Sequence, residues 1–337
     1  MNNVSNYLTK KNITLAVLFM IAIGLPYMFK SPFAKHILFF VMLWSICGVA
    51  WNILAGYAGQ TSLGHALFYG IGAYVSTMLL LKLNISPWIG MLVAVGICCA
   101  MAWLFSRFLF NLSGFYFTIA TIALGEIFLV LFTSWSFVDA ARGLFLPVVS
   151  GGNSLLYLRF SAKEPYYYIA FVFLIIALLV SHYLSISKAG YYFRAIRDES
   201  DAAISLGVDI RKYKTIAYMF SVSFCAIAGV LYANYSLYID PDSVMNIKLS
   251  TQICLVAIMG GVGTLWGPII GSMILTSISE IMRFYLGGLG LALDLIIYSL
   301  FIIVFAVFQP NGIIGMIRTA KEKMVKRQLS KEKKTNA

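Results

Sequence analysis

Long apolar runs, each broken by a short polar or glycine-rich stretch, fill most of the chain. A bilayer core of about 30 Å is crossed by roughly 20 apolar residues in a helix, so each run has the length of one membrane span. The pattern predicts an all-α, polytopic membrane bundle of about ten transmembrane helices. The predicted spans are residues 13–29, 33–54, 62–81, 88–110, 115–135, 166–187, 215–238, 249–259, 265–282 and 291–308. Only Gly260 to Gly263 separates the eighth span from the ninth, so the pair is either two helices or one interrupted helix.

Composition supports lipid as the solvent of this chain. Of 337 residues, 61% are hydrophobic and only 11% are charged, whereas a soluble domain carries about 25% charged residues. All five cysteines lie inside apolar runs and none has the spacing of a metal site, so we interpret them as small buried hydrophobes and expect no metal ligands.

Basic residues are concentrated in three regions, which predicts the orientation of the chain. The N-terminus, the loop 188–214 and the tail 318–337 are rich in Lys and Arg, and the tail alone holds eight of them against two Glu. By the positive-inside rule, both termini are cytoplasmic. We divide the chain into a transmembrane domain, residues 1–317, and a basic cytoplasmic tail, residues 318–337. The tail is expected to lie near anionic lipid rather than to bind nucleic acid.

Small residues recur at intervals of four near the end of the chain, at Gly263, Gly267 and Gly271. In a helix these positions share one face, which lets a neighbouring backbone approach closely. The spacing predicts a helix-packing face and does not distinguish one function from another.

Polar groups interrupt the apolar pattern at two places that are candidates for a translocation path. One is the boundary of the second and third runs, with Gln60, Ser62 and His65; the other is Glu126, in the middle of the fifth run. Polar groups at membrane depth need an internal partner or a polar solute. The structural alternatives are that Thr61 or Ser62 caps the third helix, that His65 is a satisfied buried histidine, and that Glu126 makes a structural hydrogen bond.

The segment 190–207 has the pattern of a short amphipathic helix on the cytoplasmic side. Its apolar positions are Phe193, Ile196 and Ile204, and Gly207 is placed to end it. Acidic side chains are unfavourable against an anionic leaflet, so the mixed charge favours a protein partner over lipid. The residues that we expect to contact that partner are Arg194, Arg197, Asp198, Ala202, Ala203 and Gly207.

Three stretches in the same order resemble the LivM-type permeases of branched-chain amino-acid importers. They are WNILAGYAGQTSLGHALFYGIGAYV from Trp51 to Val75, the segment from Gly190 to Gly207 with the later AGVLYA, and AIMGGVGTLWGP from Ala257 to Pro268. The resemblance covers nearly all of the chain after the first span and implies the fold of type II ABC importer permeases.

The resemblance implies a complex of several subunits. Its partners would be a second related permease, two cytoplasmic ATPase subunits, and an extracytoplasmic binding protein that delivers leucine, isoleucine or valine. The segment 190–207 would be the coupling helix that docks on an ATPase. The chain contains no phosphate-binding loop of the form G-x-x-x-x-G-K-[ST], so we expect no cofactor and no catalysis in this subunit, and ATP to be used by a partner.

Other functions stay open at this point. The loop from Trp135 to Gly152 departs from the glycine-rich stretch usual in the family, so a permease for urea, short amides or another amino acid is the alternative substrate assignment. A secondary transporter or channel would need more intramembrane ion-binding groups. A membrane enzyme would need a nucleophile or metal constellation, and none of the known catalytic motifs is present.

Overall fold

The computed structural model describes residues 20–29, 31–112, 114–147 and 155–286, together with residues 296, 299–300, 302–303, 312–316 and 319. The helices in these ranges are α1 (residues 20–28), α2 (Pro32–Asn52), α3 (His65–Leu83), α4 (Pro87–Leu109), α5 (Phe115–Ser134), α6 (Glu164–Ile186), α7 (Lys188–Asp198), α8 (Ser200–Ser205), α9 (Ile210–Ser236), α10 (Pro241–Met245), α11 (Ile247–Gly260) and α12 (Gly267–Leu286). A π-helical turn, Ile53–Tyr57, continues α2, and two 3₁₀ turns, Ser136–Val138 and Ala140–Arg142, follow α5.

The predicted membrane bundle is confirmed over the described residues. Eight helical segments there are long and apolar enough to cross a bilayer, and each coincides with one of the predicted spans two to nine. The first predicted span, 13–29, is described only from residue 20, and most of the tenth, 291–308, lies outside the described residues. The tail 318–337 also lies outside them, except for residue 319.

Proline and capping residues set where several of these helices begin. Pro32, Pro87 and Pro268 each stand in the first turn, where a missing N–H costs no hydrogen bond. The Ser86 hydroxyl accepts from the N–H of Trp88 at the start of α4, and the helices run on because their interiors contain no further proline.

The most enclosed helices pack through glycines. A Cβ added at Gly229 of α9 would lie 1.9 Å from the carbonyl oxygen of Tyr69 in α3, and one at Gly72 would lie 2.2 Å from that of Ala226. Contact this close between backbones requires glycine at both positions. Together with α2, these helices form the buried centre, while α4, α5 and α6 lie further out.

The connections gather at two opposite ends of the bundle. At one end, β1 (Leu144–Phe145) pairs antiparallel with β2 (Tyr238–Ile239), and Lys35 forms an ion pair with Glu164; we name this the ribbon end. At the other, which we name the Arg197 end, Arg197 reaches the turn after α2, and Arg211 donates to Asn111 over 2.7 Å. This division is the one that the predicted spans imply.

The eighth and ninth predicted spans are two separate helices, α11 and α12, that pack side by side. A Cβ at Gly271 would lie 2.0 Å from the Val256 carbonyl oxygen, and one at Gly260 would lie 1.7 Å from that of Gly267. Residue numbers at the contact increase along α12 as they decrease along α11. The pair is therefore an antiparallel hairpin rather than one interrupted helix.

The predicted packing face of Gly263, Gly267 and Gly271 is correct only for its last two members. Gly263 lies in the loop before α12 with a φ of +76°, which is the left-handed region that favours glycine. Its role is therefore in the turn, beside the Gly56 carbonyl oxygen, and not on a helix face.

Candidate functional site

The Arg197 end holds a junction between the short helix α7 and the membrane helices. The guanidinium Nη1 of Arg197 donates to the carbonyl oxygen of Gly56 over 3.0 Å, inside the π-helical turn. The Arg197 stem also packs on Gly59, where an added Cβ would lie 2.8 Å from the Arg197 Cγ. A π turn leaves backbone groups away from the regular helical pattern and is frequent at functional sites. Arg197 thus connects the surface segment directly to the irregular end of α2.

A second contact ties the same end of α2 to the loop between α11 and α12. The Asn52 side chain accepts from the N–H of Gly263 over 2.7 Å and donates to the carbonyl oxygen of Thr264 over 2.9 Å. Asn52 is buried, so its amide satisfies two backbone groups that water does not reach. Together with Arg197, it joins α2, α7 and the α11–α12 loop at one point.

The role of Asn52 was not predicted from the sequence. A carboxamide inside an apolar run requires hydrogen bonds, and that was the available signal. The identity of its partners depends on contacts more than 200 positions away in the chain, which no local pattern gives.

The predicted amphipathic segment 190–207 is two helices rather than one. The chain changes direction at Glu199, whose φ of −156° is extended, between α7 and α8. Of the predicted apolar positions, Phe193 and Ile196 are buried by the chain itself, so they are not available to a partner. The large apolar side chains that are exposed in this segment are Tyr191, at 65%, Ile204, at 58%, and Leu206, at 82%.

Each end of this pair of helices is fixed by hydrogen bonds. The Ser187 hydroxyl accepts from the N–H of Gly190 at the start of α7. Gly207 has a φ of +78° and donates to the Ile204 carbonyl oxygen, and Val208 donates to that of Ala203, so the predicted stop at Gly207 is a Schellman motif.

The other predicted coupling residues divide into buried and exposed positions. Arg194 donates to the Ser185 carbonyl oxygen over 2.8 Å and lies over the Tyr191 ring, while Arg197 pairs with the adjacent Asp198 at 2.9 Å. Ala203 is buried, but Ala202 and Gly207 lie on the exposed side with Ile204 and Leu206.

Two of the predicted path residues are enclosed by neighbouring helices. Nε2 of His65 lies 2.8 Å from the Ser221 hydroxyl, which donates to the Ala50 carbonyl oxygen. The Ser221 hydroxyl uses its one proton to donate to Ala50, so it accepts the hydrogen bond from His65. Nε2 of His65 is therefore the protonated ring nitrogen in this contact. His65 therefore joins α3 to α9 and α2.

Ser62 lies next to this contact and does not cap α3 with its side chain as an N-cap residue would. Gly64 occupies the N-cap position, and the Ser62 hydroxyl accepts from its N–H. The Ser62 carbonyl oxygen accepts from the Trp51 indole over 2.8 Å. Gln60 is half-buried, and its amide reaches only the neighbouring Gly59 carbonyl oxygen, at 3.4 Å.

Glu126 lies about 2 Å along the helix axis from the midpoint of α5, given a rise of 1.5 Å per residue. On the same row of α5, Ile119, two turns before Glu126, and Val130, one turn after it, are 48% and 62% exposed. Among the described residues, no hydrogen bond or ion pair reaches its carboxylate. In the 18-residue apolar stretch of α5, only 17% is buried within the chain, against 83% for the corresponding stretch of α2. Glu126 itself is half-buried, so the chain covers this mid-membrane carboxylate only in part.

The fold and these sites define a membrane permease, and comparison with known proteins gives its family. Residues 33–306 match the family described as "Branched-chain amino acid transport system / permease component". The chain belongs to this family, because the match covers most of its length.

Individual relatives agree with this assignment. The chain is 24% identical to the "High-affinity branched-chain amino acid transport system permease protein LivM" of Escherichia coli (strain K12), over 92% of this chain and 76% of the relative. It is also 24% identical to the LivH permease protein of the corresponding system in Salmonella typhimurium, over 81% of this chain and 91% of the relative. The solved structure "PsaBC from Streptococcus pneumoniae in complex with Fab" covers 84% of this chain and 93% of its own with a TM-score of 0.44 and 15% identity.

Proposed function

We propose that this chain is the transmembrane permease subunit of an ATP-driven importer and that it carries leucine, isoleucine and valine across a bacterial inner membrane. The family assignment supports the transport role, and the names of the LivM and LivH relatives support the class of solute. The structural observation that carries the proposal is the surface segment α7–α8, joined to the membrane helices through Arg197.

The proposal assigns the Arg197 end to the cytoplasm, with both termini on that side. The basic loop 188–214 lies at this end, as the positive-inside rule requires. ATP is available only there, so the two ATPase subunits would bind α7–α8. Exposed Ile204 and Leu206 would provide the apolar contact, and Asp198 with its Arg197 partner the charged rim.

A second, related permease would cover the exposed row of α5. A carboxylate at the centre of a span is costly in lipid, so Glu126 requires either a protein partner or a water-filled path. We infer that both are present: the path runs beside α5, Glu126 and Gln60 line it, and buried Ser62 and His65 hold the turn that supports it. The ribbon end would receive the extracytoplasmic binding protein.

The experiment that tests the coupling role replaces Ala202 with arginine. A bulky charge on the exposed side of α8 should detach the ATPases or uncouple hydrolysis from uptake, while the bundle stays inserted, because Ala202 is exposed. Ala141→Arg is the matched control for ATPase binding and hydrolysis, since Ala141 is also an exposed alanine and lies at the ribbon end, away from the proposed ATPase contact. Copurification of the ATPases, ATP hydrolysis and leucine uptake are measured for both variants.

Wild-type values of all three quantities in Ala202→Arg would show that α8 does not bind the ATPases. The solute is tested separately, by uptake of leucine, isoleucine, valine, urea and acetamide into vesicles that contain the complete importer and its binding protein. Uptake of urea or acetamide without uptake of the three amino acids would refute the substrate assignment.

A further inference from the structure

A cavity enters the bundle from the ribbon end, and none of the candidate path residues lines it. It encloses about 260 Å³, slightly below the range of about 300–1,000 Å³ usual for drug-sized ligands, which suits a solute of the size of one amino acid. Its lining comes from α2, α3, α9, α12 and the segment around α10 and α11. The lining residues are Phe40, Trp44, Tyr69, Tyr232, Asp242, Ser243, Asn246, Lys248, Leu249, Gln252, Glu280 and Arg283.

The deep part of this cavity is aromatic. Trp44 lies twelve residues after the start of α2 at Pro32, or about 18 Å along the axis from the ribbon end. Tyr69 lies fourteen residues before the end of α3, or about 21 Å from the same end. Their rings are parallel within 4° at a centroid distance of 6.3 Å. Phe40 and Tyr232 complete an aromatic chamber that extends to about the middle of the bilayer core.

The mouth of the cavity carries charges of both signs. Asp242 and Lys248 are exposed there, on either side of Asn246, and the Asn246 amide donates to the Asp242 carboxylate over 2.6 Å. Within the described part of the chain, no hydrogen bond or ion pair involves the Lys248 ammonium group. Glu280 in the wall faces Arg283 with one oxygen and His36 with the other, each at 3.6 Å, which is longer than a good hydrogen bond, so its oxygens keep room for another donor.

We propose that this cavity binds one zwitterionic amino acid with an apolar side chain, on its way into the permease. Lys248 and Arg283 attract the carboxylate, Asp242 and Glu280 attract the ammonium group, and the side chain enters the aromatic chamber. Charge-assisted contacts at the mouth and apolar burial below it match the two ends of such a solute. The inference rests on the proposed function, because it assumes that an amino acid is the transported solute.

The test uses the complete importer in nanodiscs without its binding protein, and measures direct binding of radiolabelled leucine by equilibrium dialysis. Competition with leucinol, which lacks the carboxylate, and with 4-methylpentanoate, which lacks the ammonium group, reports on each charged contact. We expect Lys248→Gln and Asp242→Asn each to weaken leucine binding by about tenfold or more. Both residues are exposed, so their replacement leaves the folded bundle intact.

Each variant should also discriminate less well between leucine and the analogue that lacks the group its side chain would have bound. Lys248→Gln should reduce the preference for leucine over leucinol, and Asp242→Asn the preference for leucine over 4-methylpentanoate. Lys82→Gln and Asp139→Asn are the matched controls, because both side chains are exposed at the ribbon end outside the cavity. These two variants should bind leucine as the wild type does.

Three outcomes would overturn the inference. The first is that an importer that takes up leucine with its binding protein shows no direct binding of leucine. The second is that the mouth variants weaken the binding of leucine and of both competitors equally. The third is that the cavity binds choline in place of leucine. In the first case the proposed function stands and the cavity assignment fails. An importer that takes up none of the branched-chain amino acids would instead refute the proposed function itself.

Discussion

Replacement of Asn52 with alanine should loosen the Arg197 end without changing the membrane spans. The variant loses two hydrogen bonds, to Gly263 and Thr264, and leaves both backbone groups without that partner. Hydrogen bonds between membrane helices average about 0.6 kcal/mol, whereas a buried backbone group left unpaired costs about 1–3 kcal/mol. Two hydrogen bonds at about 0.6 kcal/mol each give a lower limit of about 1 kcal/mol. The loop can relax in part, so the cost stays below that of two fully unpaired backbone groups. We therefore expect the free energy of unfolding to fall by about 1–3 kcal/mol.

Asn234→Ala is the matched control for this prediction. Asn234 is equally buried, but its amide donates only to the Val230 carbonyl oxygen in its own helix, over 2.8 Å. Its loss should change stability by less than about 1 kcal/mol. Unfolding of the purified protein is followed by tryptophan fluorescence in mixed micelles with increasing dodecyl sulfate. If Asn52→Ala were as stable as Asn234→Ala, the bidentate contact would not hold the α11–α12 loop, and the junction argument would fail.

Three further predictions follow from the described contacts. Glu126→Gln keeps the shape of the side chain and removes its charge, so uptake kinetics should change while the complex still assembles; unchanged kinetics would remove Glu126 from the path. Thr335→Cys should resist a membrane-impermeant thiol reagent applied outside intact cells and react after permeabilisation, and labelling from outside would overturn the cytoplasmic assignment of the C-terminus. Gly229→Ala should destabilise the bundle by roughly 1–3 kcal/mol or more through the contact with Tyr69, whereas Gly96→Ala, where the added Cβ meets nothing within 4 Å, should not; equal stability of the two would contradict the close packing of α3 and α9.

The spans were predictable because lipid imposes one simple requirement on the chain. A run of apolar residues as long as the bilayer core has to be helical, so span positions such as 88–110 agree with α4, Pro87–Leu109, to within a residue. The helix ends were also readable where a special residue sets them, as at Gly207.

The surface segment was predicted less well, because its pattern depends on tertiary contacts. Phe193 and Ile196 occupy an apolar face, and the sequence did not show that the chain's own helices cover that face. The pairing of Arg197 with Gly56 joins residues 141 positions apart. The pattern within one segment shows that the segment is amphipathic. It does not show whether the same chain or a partner protein covers the apolar side.

The partly covered carboxylate of α5 has a consequence for how cells make this protein. A glutamate near the centre of a span costs several kcal/mol in lipid, so a subunit synthesised without its companions carries a marked penalty throughout its lifetime in the membrane. Chains that are less stable are removed faster by cellular proteases, so we expect the unassembled subunit to be degraded faster than the assembled one. Glu126 would then serve as a marker of assembly, matching the amount of this subunit to that of its partners.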